Sequence, residues 1–156
     1  MFLIVHASVG AVLGEQFSSP SISFIVGFLS HFLIDIIPHG DEELGRLFIK
    51  GKRHGLLAVI AVIDTIAALC LVSLFWLYGF LPNATGAFAG AVGAMIPDIL
   101  SGFTIVSKGK FLPDFDQLHG WNHTLLGLEV PIPVGVTLQF VTFLVVWTYP
   151  LFLFFA

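Results

Sequence analysis

Charge is what this chain has least of. Six Lys and Arg and ten Asp and Glu are spread over 156 residues, 10% of the total, where a water-soluble domain carries about 25%. So few ionised side chains cannot solvate a surface of this size. That excludes a soluble enzyme, a nucleic-acid-binding domain and a disordered segment. Cysteine is nearly absent too: Cys70 stands alone in an apolar run, which excludes an internal disulfide and any thiolate metal site. The start, Met1 to His6, has no basic n-region, so the first apolar run reads as retained, not as a removed signal peptide. What is present is apolar. Hydrophobic residues make up 57% of the chain and the mean hydropathy is +1.00, so the solvent that suits it is lipid.

Proline, glycine, asparagine and the charge clusters divide the apolar sequence. The runs are about Phe2–Phe17, Ser21–Ile37, His54–Phe80 and Ala84–Val106, with a last stretch from Trp121 to Ala156. Pro131 and Pro133 interrupt that stretch, which predicts a short helix and a final span from about Val134. Ser19 and Pro20 suit a helix start, as does Asn83. A span takes roughly 20 apolar residues. The expectation is therefore an all-α polytopic membrane bundle of about five spanning helices, forming a single domain over residues 1–156. Gly86, Gly90 and Gly93 with their alanine neighbours, and Gly10 and Gly14 in the first run, offer small-residue faces for close helix packing.

All six basic residues (Arg46, Lys50, Lys52, Arg53, Lys108 and Lys110) fall in two loops on one side of this threading, and the turns at 18–20 and 81–83 carry none. The positive-inside rule then predicts the cytoplasmic membrane, with the N-terminus and the basic loops in the cytoplasm. The 39–53 loop, whose Leu47-Phe48-Ile49 stretch lies among basic residues, suits an interfacial segment that gates access.

Within or beside the runs lie three acids, Asp35, Asp64 and Asp98, and the histidines His6, His31, His39, His119 and His123. His6 lies about 13 residues before the first turn and His31 about 12 after it, so antiparallel neighbours would place them at one depth. Asp64 and Asp98, 18 before and 16 after Pro82, match likewise. Asp35 follows His31 by one helical turn on the same face, and His119 and His123 repeat that spacing. Lys and Arg are absent from the runs, and a buried carboxylate without a basic partner must be protonated, hydrated or metal-bound. With histidines at the same depth a metal is the economical answer, although His31 and Asp35 could also form a plain hydrogen-bonded pair. Imidazole and carboxylate suit zinc first, with manganese or iron as alternatives, and the donors suffice for one or two ions.

The segment Ser30-His31-Phe-Leu-Ile-Asp35-Ile-Ile-Pro38-His39-Gly40 resembles the His-x-x-x-Asp segment of the bacterial inner-membrane metal-dependent hydrolases, the YdjM-like group. Ile96-Pro97-Asp98-Ile99, Asn122-His123-Thr124 and His6 are similar to that group's Pro-Asp, Thr-His-Ser and N-terminal histidine elements. Where the group carries a second acid two residues after Pro-Asp, this chain has Leu100. The resemblance implies a membrane-embedded hydrolase, distantly related to zinc-dependent phospholipases C, acting on lipid or phosphoester substrates. The expected metal ligands are His6, His31, Asp35, His39, Asp98 and His123, with Asp64 or His119 as general base. The site should lie in the cytoplasmic half, among membrane lipids. Two other readings stay open: a small proton or divalent-metal transporter, and a structural membrane protein stapled by its metal.

Overall fold

The computed structural model describes residues 1–40 and 54–155; the expected gating loop, with Arg46, Lys50, Lys52 and Arg53, lies outside the described residues. Those residues form six helices and no strand. In chain order they are α1 (Leu3–Gly14), α2 (Pro20–Ile34), α3 (His54–Leu77), α4 (Ala84–Val106), α5 (Pro113–His123) and α6 (Ile132–Phe155).

Local chemistry accounts for the helix starts. Ser19 Oγ accepts from the Ile22 N–H at 3.5 Å ahead of Pro20, and Asn83 Oδ1 accepts from the Gly86 N–H at 3.1 Å. Asn83 Nδ2 also donates to the Glu15 and Phe17 carbonyls, so one side chain caps α4 and ties down the turn between α1 and α2. The short helix α5 begins earlier than the prolines at 131 and 133 suggest, inside the stretch expected as a polar loop. Pro113 opens it, and Asp114 and Asp116 in its first turn complement the positive helix end.

Three helices, α3, α4 and α6, are long and apolar enough to cross a membrane. The helices α1 and α2 have 12 and 15 residues, about 18 and 22 Å at ~1.5 Å per residue, short of a hydrocarbon core of about 30 Å. Length is what separates them from the other three, because they are equally apolar.

Ten of the twelve residues of α1 are buried, so it is the centre around which α2, α3, α4 and α6 pack. Small residues make this packing possible. A Cβ placed on Gly10 or Gly27 would collide with the Gly90 carbonyl, and one on Gly93 with the Phe24 carbonyl. The three backbones of α1, α2 and α4 meet at Gly90, with only hydrogens between them. Around this contact the core includes Leu3, Ala7, Ala11, Val72, Leu81, Ala87, Ala91 and Trp147, and the Trp147 indole N–H donates to Ser8 Oγ at 3.2 Å. Large apolar side chains face outward on α2 (Ile25, Leu29, Leu33), α3 (Val59, Val62, Ile63, Ile66) and α6 (Phe140, Val141, Leu144, Val145). Rows of that size are unfavourable in water and suit acyl chains.

The far end of α6 lies beside the 79–83 turn, with Phe80 and Phe154 ring centroids 4.4 Å apart. Its near end packs on residues 39–40, where a Cβ on Gly135 would strike the His39 carbonyl. The bundle therefore has two unlike ends: the turns at 15–19 and 79–83 at one, and the start of α1, the end of α2 and α5 at the other.

Candidate metal centre

Seven of the eight expected site residues come together at that second end. His6 is brought by the first turns of α1, His31 and Asp35 by the end of α2, His39 by the following turn, Asp98 by α4, and His119 and His123 by α5. Asp35 is the hub. Its Oδ1 lies 3.1 Å from His6 Nε2 and 3.7 Å from His39 Nε2. Its Oδ2 lies 3.0 Å from His31 Nε2 and 3.2 Å from the Nε2 atoms of both His119 and His123. Asp98 closes one side, 3.6 Å from His6, 3.8 Å from His31 and 3.5 Å from His119. The Met1 amino group also lies 3.2 Å from Asp35 Oδ1. The matched depth of His6 and His31 is real: their rings stack at 3.9 Å.

The tautomers of two imidazoles follow from their other nitrogens. His31 Nδ1 lies 2.8 Å from the Ala94 carbonyl and His39 Nδ1 2.7 Å from the Ile37 carbonyl. A carbonyl only accepts, so both Nδ1 atoms carry the proton and, in the neutral ring, each Nε2 presents a lone pair. Those lone pairs point at the oxygens of Asp35, which are also electron-rich. Lone pair against carboxylate is repulsive unless a cation lies between. The distances say which kind of cation fits. Charge-assisted N–H···O bonds run about 2.7–2.9 Å, whereas every imidazole–carboxylate contact here is between 3.0 and 3.8 Å. Donors bound at ~2.0–2.1 Å to a tetrahedral ion are separated by about 3.3 Å. The spacing is one that could hold a metal ion, and the His119 Nε2–Asp35 Oδ2 contact at 3.2 Å also has the geometry of a hydrogen bond.

Its burial agrees. Neither nitrogen of the fully buried His6 makes a hydrogen bond of acceptable geometry, nor does Nδ1 of His123. Asp98 is the most open member at 24% exposure, against 13% for His123 and none for His6, His31 and Asp35. Burial also lowers the His123 imidazole from 6.5 to about 4, against the opposing pull of Asp35.

The eighth expected residue is elsewhere. Asp64 accepts from the Leu3 N–H at 2.6 Å and the Ile4 N–H at 3.2 Å, so it caps the start of α1. There α3 presents it to the first turn of a neighbouring helix. His119, the other expected general base, stands inside the cluster, its Nε2 2.9 Å from that of His31.

Three supporting residues are not among the expected site residues. Ser101 Oγ is 2.8 Å from His119 Nδ1, orienting that ring as partners of metal-binding histidines do. Asn122 donates to the Phe32 carbonyl at 2.8 Å and locks α5 onto α2. Gln139, buried in α6, accepts from the Phe2 N–H at 2.7 Å and donates to the His39 carbonyl at 2.9 Å, beside Gly135. Two signals were available: Ser101 lies three residues after Asp98, and Gln139 is the one carboxamide in its apolar run.

No family model, curated protein or solved structure matches the chain.

Proposed function

We propose that the protein is a membrane-embedded, metal-dependent hydrolase acting on lipid or phosphoester substrates. The observation that carries the metal is the pair of fixed imidazoles: His31 and His39, each with Nδ1–H committed to a backbone carbonyl, aim their remaining nitrogens at Asp35. Donors of this kind suit zinc, with manganese or iron as alternatives. A divalent ion held there would bring the pKa of a bound water to about 7 and so supply a nucleophile at neutral pH. Ser101, Gln139 and the Gly135 contact would fix the rings that hold it. The more open side at Asp98 favours a site that admits substrate over a fully enclosed staple. The resemblance of the His31–Gly40 and Pro97-Asp98 segments to the YdjM-like hydrolases supports hydrolysis as the reaction.

In this reading the site end is cytoplasmic, because Lys108 and Lys110 flank it and the other four basic residues follow His39 in sequence. The shorter α1 and α2 complete a bundle of five crossings, with α1 at its centre and α2 packed on α1 and α4, while α5 lies at the interface. Outward-facing Leu118 and Trp121 on α5 suit that position.

The test is metal content and phosphodiesterase activity of the detergent-purified protein, before and after chelation. The expected result is bound divalent metal that chelation removes, with activity restored on adding it back. An Asp35→Ala/Asp98→Ala variant should lack both. A variant that keeps full metal content, or a wild-type chain that never holds metal, refutes the proposal.

A further inference from the structure

Building on the metal-binding reading above, we propose that the centre is dinuclear and that Asp35 bridges the two ions. Seven side chains converge, five imidazoles and two carboxylates, whereas a tetrahedral ion takes four donors. They do not converge evenly. Two groups, each with donor atoms within 4.8 Å of one another, share Asp35 and nothing else: His6, His31, Asp35 and Asp98 form one, and Asp35, His39 and His123 the other. His6, His31 and His119 each approach both carboxylates. His39 and His123 pair with each other across 4.9 Å between ring centroids and group with Asp35.

A carboxylate has two oxygens and can serve two ions, and Asp35 is the one residue common to both donor groups; His119 stands between them, its Nε2 2.9 Å from that of His31 and its ring centroid 4.7 Å from that of His123. Bridged pairs of this type hold their ions about 3.5–4 Å apart. The first group offers four protein donors and the second three, which with the shared Asp35 makes six residues; His119, the seventh, lies within reach of both.

The experiment is a Mn(II) titration of the purified, metal-stripped protein in nanodiscs, followed by metal analysis and electron paramagnetic resonance. The wild-type chain should saturate at two ions and give the exchange-coupled spectrum of a bridged pair. A His39→Ala/His123→Ala variant should saturate at one ion with an uncoupled six-line spectrum. A wild-type chain that saturates at one uncoupled ion overturns the dinuclear centre and leaves the single-metal hydrolase standing. Two ions retained in the variant overturn the assignment of His39 and His123. A wild-type chain that takes up no metal overturns both readings. Should the variant fail to fold, the wild-type spectrum alone decides between a bridged pair and a single ion.

Discussion

Replacing Asp64 separates a capping role from a catalytic one. Its carboxylate accepts two backbone N–H groups at the start of α1, at 2.6 and 3.2 Å. These are among the four donors that a helix N-terminus leaves without intrahelical partners. Hydrogen bonds to a charged acceptor contribute about 1.5–3 kcal/mol each. Asp64→Ala should therefore cost about 3 kcal/mol at the lower figure, and more where lipid leaves the freed donors no substitute. Asp64→Asn keeps one acceptor oxygen and should lose about half as much. For a chain of this size about 1 kcal/mol moves Tm by roughly 2–4 °C, so the alanine variant should melt roughly 6–12 °C lower and the asparagine variant between it and wild type. The assay is thermal unfolding in a fixed detergent, with metal content measured on the same samples. Because α1 carries His6, the alanine variant should bind metal more weakly, and the asparagine variant should keep both metal and turnover. A Tm unchanged in Asp64→Ala together with abolished turnover in Asp64→Asn would refute the capping argument and return Asp64 to the role of general base.

Other perturbations follow from the same geometry. Ser101→Ala removes the partner of His119 Nδ1 and should weaken metal affinity about 10-fold, read by competition with a chromogenic chelator. Gly90→Leu drives a side chain into the Gly10 carbonyl and should cost about 3 kcal/mol or abolish folding. Gly102→Ala on the same helix meets nothing within 4 Å and should leave the melting temperature unchanged or slightly raised. The metal-free protein should lose stability on acidification between pH 6.5 and about 4. In that window the unfolded His123 takes up a proton that the buried imidazole refuses; above pH 6.5 both states are neutral and this residue contributes no pH dependence. A flat melting temperature across that window would contradict the burial of His123.

The sequence disclosed the chemistry of the site better than its directions. Residue type, turn positions and an antiparallel threading placed His6 beside His31 and put both near Asp98, because depth along a span follows from counting. Counting says nothing of rotation about the helix axis, and Asp64 shows the consequence: it sits on a helix that presents it to another partner. Long spans were legible as apolar runs, and α4 occupies the residues its run predicts. The shortness of α1 and α2 was legible in part, since runs of 16 and 17 residues, Phe2–Phe17 and Ser21–Ile37, fall below the roughly 20 that a span takes. Their ends are set by the Ser19 and Asn83 caps and by the turn at Asp35. Ser101 and Gln139 act only through contacts to other segments, which composition and periodicity do not encode.

The glycine contact at Gly90 has a bearing on how the protein is made. The helices α1 and α2 leave the ribosome before α4, they are shorter than a hydrocarbon core is thick, and the glycine surface that receives them is on α4. Their stable placement therefore waits for a segment some sixty residues later in the chain. The donors wait longer still, since His119 and His123 come after α4. At ~5–20 residues per second, His6 precedes His123 by on the order of ten seconds. On the metal-binding proposal, loading would be a late event in biogenesis, and a ribosome stalled between α4 and α5 would leave α1, α2, α3 and α4 with an incomplete donor set.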